Sequence, residues 1–280
     1  MDQEQTFFDF AAEVGLTKHI GSVTATDELV ALCHISEGQH VLDVGCGVGM
    51  TPCYLAKKYG CRVFGVDIRQ GMIERSRERA SKEGVTDQVM FWVSDAQALP
   101  FEDELFDAVI TESVTAFPED KERALAEYVR VTKPGGYVGL NESTWLKVPV
   151  PAEVVAWASQ DVGASVQPLT SEEWQELLEQ AGLQEIVVKI GAVDMRDEAK
   201  GIVRRYGYGG MLGTWLKTLR LYIRNPAYRQ FVKDVRRQGI IPKDLDQYFG
   251  YGIFVGRKKD QSGDPLTNQR ATASRIETST

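Results

Sequence analysis

Five short apolar runs, separated by amphipathic stretches, organise the first half of the chain. "HVLDVG" (40–45), "CRVFGVD" (61–67), "VMFWVSD" (89–95), "DAVITES" (107–113) and "GYVGLNES" (136–143) are each β-rich and bounded by Gly, Asp or Pro. Helical patterns lie between them, such as "PEDKERALAEYVRVT" (118–132), with Pro118 early and "KPGG" at its stop. Strands alternating with helices at this length predict βαβ units and a doubly wound, mostly parallel α/β sheet.

Beyond residue 145 the pattern loosens. "TSEEWQELLEQAG" (170–182) has Thr170 and Glu173 at capping-box spacing, with Trp174, Leu177 and Leu178 on one face. "EIVVKIGAV" (185–193) and "YFGYGIFVGRK" (248–258) predict two more strands. Residues 194–247, between them, read as helical, with Asn225 as N-cap, Pro226 in the first turn and Gly239 as stop. Within that segment Leu212, Trp215, Leu216, Leu219 and Tyr222 or Ile223 form an apolar stripe, with Lys217, Arg220 and Arg224 on other faces. The polar, Ser/Thr-rich residues 260–280 predict a disordered tail. The implied domain plan is an N-terminal helical segment (1–35), a sheet core (36–193 and 248–259), a helical cap (194–247) and the tail.

Composition narrows the function. With 280 residues, 43% hydrophobic and 26% charged, the chain reads as a folded globular protein. Its net charge of −8 argues against a general nucleic-acid binder, which must neutralise phosphates. The sum hides an asymmetry: residues 1–190 hold 15 Lys/Arg against 31 Asp/Glu, and residues 191–240 hold 11 against 4. A basic amphipathic helix there would also suit peripheral contact with an anionic membrane. Cys33, Cys46, Cys53 and Cys61 form no C-x-x-C pair, so zinc-ligand spacing is absent and no metal is expected. With no signal-peptide pattern and no run of 18 apolar residues, the expected location is the cytoplasm.

The chemistry begins at "VLDVGCGVGM" (41–50), where Gly45, Gly47 and Gly49 occupy a strand-to-helix turn. Such glycines let backbone approach a ligand closely. A dinucleotide turn wants G-x-G-x-x-G, and here Met50 stands at the last position. Asp43 would repel a pyrophosphate but suits an ammonium or a sulfonium. Asp67, closing the second strand, is placed to accept ribose hydroxyls, and Asp95, closing the third, to accept from an adenine amino group beside the Ala96 amide.

Taken together, "LDVGCGVG", "VFGVD", "SDAQALPF", "FDAVITES" and "KPGGYVGL" resemble the successive motifs of the class I S-adenosylmethionine-dependent methyltransferases, in particular the small-molecule group that includes ubiquinone/menaquinone and sterol methyltransferases. The resemblance covers roughly residues 20–145. It implies a seven-stranded sheet whose last strand inserts antiparallel, and S-adenosylmethionine as cofactor. It implies that Gly45, Gly47 and Gly49 surround the methionine and ribose, and that Asp43 holds the amino end. By the same likeness Asp67 binds the ribose, Ile68 packs on the adenine, Asp95 with Ala96 reads its polar edge, and Thr111 lies beside the transferred methyl. "KHIGSVTATDEL" (18–29) resembles the segment that closes over the methionine carboxylate, with Gly21 and Thr26 as contacts.

Methyl transfer is an in-line displacement, so alignment and exclusion of water come first, and a base is needed only for a protonated acceptor. Glu112 and Glu142, at the ends of strands four and five, and His19 are the candidate bases; each also reads as a structural residue. Arg204, Arg205, Trp215 and Arg220 are the candidate acceptor contacts, roofing an apolar pocket and steering an anionic group. The expected partner is a small molecule, apolar or anionic. Two alternatives stay open: a non-catalytic S-adenosylmethionine-binding protein and an NAD-linked oxidoreductase. The sequence names neither the accepting atom nor the oligomeric state.

Overall fold

The computed structural model describes residues 10, 21–160, 168–192, 213, 215–238, 242 and 244–260. His19, Arg204, Arg205, Leu212, Gly239 and the expected tail from 261 onward lie outside the described residues. In chain order the elements are α1 (Ser22–Leu32), β1 (His40–Val44), α2 (Met50–Tyr59), β2 (Arg62–Asp67), α3 (Gln70–Glu83), β3 (Val89–Val93), β4 (Phe106–Glu112), α4 (Lys121–Val131) and β5 (Thr132–Trp145). There follow α5 (Ala152–Gln160), β6 (Leu169–Thr170), α6 (Ser171–Gln180), β7 (Leu183–Ala192), α7 (215–224), α8 (Pro226–Gln238), α9 (Leu245–Tyr248) and β8 (Phe249–Lys258).

The strands join in the order β3-β2-β1-β4-β5-β8-β7. The first five are parallel, and β8 runs antiparallel to both β5 and β7. An eighth strand beyond the expected seven is β6, two residues that pair with Thr144 and Trp145. So short a strand leaves no periodicity to read. A second difference lies at "KPGG", where β5 starts at Thr132 and the four residues form part of the strand. Lys133 Nζ is held 2.6 Å from Asp107 Oδ1, and a Cβ at Gly136 would meet the Asp107 carbonyl at 2.7 Å.

Alternation along the strands builds two cores. Leu29, Val41, Leu55, Ile73, Phe91 and Ile110 are buried together on the face covered by α1, α2 and α3. Leu42, Phe106, Tyr128, Leu140, Trp174 and Phe254 fill the other face beneath α4 and α6. Each such side chain stabilises by about 1.5–3 kcal/mol on burial. The capping box at Thr170 and Glu173 forms as the spacing predicts, and Trp174 buries its ring while donating to the Ser143 carbonyl at 3.1 Å.

Between β7 and β8 the chain adds a smaller cluster, in which Leu221 packs with Phe10 and Tyr228. Asn225 caps α8 by accepting from the Ala227 and Tyr228 amides at 2.9 and 3.2 Å. Arg229 Nη1 closes the end of α7, donating to the carbonyls of Tyr222 and Ile223 at 3.1 and 2.8 Å. Among the described residues no helix is long and apolar enough to cross a membrane.

Candidate functional site

Gly45, Gly47 and Gly49 have φ of 72°, 54° and 73°, a left-handed backbone that side chains disfavour. The turn they make carries the chain from β1 into α2. A Cβ at Gly45 would meet Val114 Cγ2 at 2.3 Å, and one at Gly49 would meet Ser76 Cβ at 2.8 Å. Gly49 therefore lets α3 approach, while Gly45 sits under the loop that follows β4. Asp67, at the end of β2, accepts from the Gly47 amide at 3.0 Å through Oδ2 and from the Arg69 amide at 2.9 Å through Oδ1. Burial raises its carboxyl above the usual range, and the two amides oppose that rise. Ile68 beside it is 65% exposed. Asp95, just past β3, accepts from the Gln97 amide at 2.9 Å, and Ala96 is half-buried next to it.

Asp43 is buried, and no described residue donates a hydrogen bond to its carboxylate. Burial pushes its carboxyl well above the ordinary range, and the negative charges of Glu112 and Asp67 push it further. An acid in that state favours a positively charged ligand, which would relieve both effects.

Glu112 is also buried, but its oxygens are taken. Thr26 Oγ1 donates to Oε2 at 2.8 Å, Thr51 Oγ1 to Oε1 at 2.8 Å, and Asn141 Nδ2 to Oε2 at 3.4 Å. It thus ties together α1, α2 and β5. Thr26, expected beside a cofactor, is 2% exposed and spends its hydroxyl on Glu112. Helix α1 is further pinned to α2 by Asp27, which accepts from Tyr54 and Tyr59 hydroxyls at 2.6 and 2.9 Å and from Lys58 at 2.7 Å. Gly21, with φ of 90°, begins α1.

Glu142 points the other way. Glu112 pairs in register with Asn141, so the next residue of β5 faces the opposite side of the sheet. There Glu142 Oε1 accepts from the Val114 and Thr115 amides at 2.9 and 2.6 Å and from Thr111 Oγ1 at 3.4 Å, while Oε2 has no hydrogen-bond partner among the described residues. Its side chain is fully buried, and burial raises its carboxyl above the usual range. The two candidate carboxylates therefore cannot work as a pair. Thr111, also fully buried, shares its hydroxyl with Thr115 at 3.0 Å, so its side chain is closed to a ligand.

The sequence placed Asp43, the glycines and Asp67 at neighbouring strand ends, where they are found close together. Sequence reasoning missed Thr51, Asn141 and Val114. Thr51 carried a signal, two residues after the last glycine of the turn; the other two depend on register. Trp215 is 60% exposed and Arg220 is exposed, which does not fit the enclosed acceptor pocket expected of them. The four cysteines are buried free thiols, and burial pushes Cys53 up to about 12.

Residues 42–140 match the family described as "Methyltransferase domain". An uncharacterised protein of Haemophilus influenzae is 31% identical over 215 residues, spanning 76% of this chain and 85% of its own. The chain belongs to the class I S-adenosylmethionine-dependent methyltransferases. A named relative is the 27-O-demethylrifamycin SV methyltransferase of Amycolatopsis mediterranei, 36% identical over 163 residues, which are 57% of this chain and 59% of that enzyme. The chain thus matches less than two thirds of that relative's length. Phosphoethanolamine N-methyltransferase 2 of Haemonchus contortus, in complex with S-adenosyl-L-methionine, has a TM-score of 0.68 at 20% identity, covering 92% of this chain and 57% of that one. That likeness bears on the fold of the methyltransferase. The enzyme's cofactor is S-adenosylmethionine. A bare-backbone turn beside a buried carboxylate with no donor among the described residues fits a ligand that carries positive charge next to a nucleoside.

Proposed function

We propose that this methyltransferase holds S-adenosylmethionine across the C-terminal ends of β1, β2 and β3 and methylates a small acceptor that approaches over the end of β4. The observation that carries the reading is Asp43, buried next to the glycine turn with no hydrogen-bond donor among the described residues. When bound, the cofactor supplies a methyl carbon activated by a positively charged sulfur. Asp43 draws that cationic end inward. Asp67 accepts the ribose hydroxyls; a carboxylate oxygen has two lone-pair sites, so one remains on each oxygen after the Gly47 and Arg69 amides are bound. Ile68 packs on the adenine, whose polar edge meets Asp95 and Ala96.

Glu112 serves as a positioning residue, holding α1 over the turn through Thr26. The reading assigns no general base, and an acceptor with its own lone pair needs none. Residues 1–35 close over the cofactor and residues 194–247 bound the acceptor space, with Arg204 and Arg205 steering an anionic group. Trp215 and Arg220, which face outward, drop out of that role. Four unpaired thiols agree with a cytoplasmic setting.

The test is methyl transfer from labelled S-adenosylmethionine into small-molecule extracts, alongside calorimetry with S-adenosylmethionine, S-adenosylhomocysteine and NAD. A labelled small product and binding of the first two ligands are expected. Binding without any labelled product would favour a non-catalytic S-adenosylmethionine-binding protein, and binding of NAD alone would refute the cofactor site.

A further inference from the structure

Helix α7 carries its apolar stripe on the wrong side for a core. Trp215, Leu216, Leu219, Tyr222 and Ile223 are 60, 53, 40, 39 and 64% exposed, and they are five of the twelve exposed large hydrophobic side chains described. At helical spacing these five fall within about one third of the circumference. Leu221, the residue that α7 buries against Phe10 and Tyr228, lies roughly opposite. Lys217 is also on the inner side: Arg75 chiefly, and at longer range Lys82 and Lys217, hold the Glu78 carboxyl of α3 below its usual range. The stripe therefore looks away from the rest of the described protein.

The charge around it is one-sided. From Ala199 to Lys233 the chain contains eight Lys and Arg and no Asp or Glu, although the whole chain has a net charge of −8. Arg220, which is exposed, borders the stripe at helical spacing, and Arg224 lies further round beside Lys217. A second copy of the chain, docked on the same face, would bring this acid-free basic border against itself. An anionic surface matches the charge.

We propose that the outward face of α7 is a docking surface for an anionic lipid bilayer, with Trp215, Leu216, Leu219 and Ile223 entering the interface and Arg220 meeting lipid phosphates. A ring that is apolar with one polar edge, such as Trp215, is suited to that depth. The surface requires nothing of the acceptor, so it stands or falls apart from the methyl-transfer assignment.

The full-length protein is sedimented with vesicles of phosphatidylcholine alone and with vesicles that also contain phosphatidylglycerol. Binding is expected only to the second, with added salt releasing the protein. Each basic residue near an anionic surface contributes about fivefold to partitioning, so Arg220→Glu should weaken it about fivefold or more. Trp215→Glu with Leu219→Glu should remove it. Unchanged S-adenosylhomocysteine affinity by calorimetry shows that each variant is folded, and a variant that fails this check is replaced by the Trp215→Ser single change. Failure to bind phosphatidylglycerol vesicles overturns the proposal, as does equal binding to phosphatidylcholine alone or by the variants. Self-association in buffer that the Trp215 variant disperses, with no vesicle binding, gives the face to a second copy and equally overturns it.

Discussion

Burial of a carboxylate without a hydrogen-bond donor costs the fold stability, and among the described residues none donates to Asp43. The sign of its pH dependence follows from the upward shift caused by burial, Glu112 and Asp67. Between the ordinary carboxylate range and the raised native value, the folded protein holds a proton that the unfolded chain has lost. Stability of the ligand-free enzyme therefore falls as pH rises through that interval, and the penalty is complete above it. Asp43→Asn should raise the melting temperature of the ligand-free protein at neutral pH, by a few degrees or about 1 kcal/mol. The same change should weaken S-adenosylmethionine about ten- to a hundredfold by calorimetry, because a charge-assisted contact is lost. An unaltered affinity would remove Asp43 from the site. Asp43, Asp67 and the three glycines were legible because strand ends and a glycine turn fix their place locally. What Thr26 and Thr111 do with their hydroxyls was not, since their partners Glu112 and Glu142 are distant in sequence.

At the scale of elements, the pairing of β4 with β5 decides more than any single side chain. Both glutamates read as residues of one sheet edge, and that much was correct. Which face each takes depends on Glu112 lying opposite Asn141, a register that no local pattern encodes. The consequence is a division of labour: Glu112 fastens α1 and α2, and Glu142 fastens the loop after β4. That loop contains Ser113 at a φ of 58°, and its Val114 rests on Gly45. Glu142→Ala should destabilise the protein by about 3 kcal/mol in urea denaturation, since two amides lose a buried acceptor. Glu142→Gln retains an acceptor oxygen and should recover most of that loss. Cofactor affinity should follow the same order across the pair. If alanine and glutamine behave alike, the loop does not depend on this acceptor. The seven main strands were legible from alternation and turn residues, whereas β6 was too short to show.

For the whole molecule, the register of β7 and β8 brings Ala192 opposite Gly250, so the long connection leaves and returns at one point of the sheet. Replacing residues 194–247 by a short turn should then preserve the core. S-adenosylhomocysteine affinity should stay within a few-fold of the parent by calorimetry, while turnover on the acceptor is lost. Normal turnover by the shortened enzyme would show that these residues do not bound the acceptor. Where this connection lies and how basic it is could be read from the sequence. The direction of its stripe could not, because an amphipathic pattern marks a face without saying what covers it.

The order of the strands also governs how the protein is made. β8 is synthesised last of the eight yet stands between β5 and β7, and among the described residues β7 pairs with nothing else. As the chain emerges from the ribosome, β1 to β5 can assemble while β7 waits without a partner. A polypeptide stalled or cleaved before Phe249 would show two open strand edges at once, each a template for pairing with another chain. The burden that this topology places on chaperones and proteases thus falls on an interval of translation, and it ends when Lys258 is free to enter the sheet.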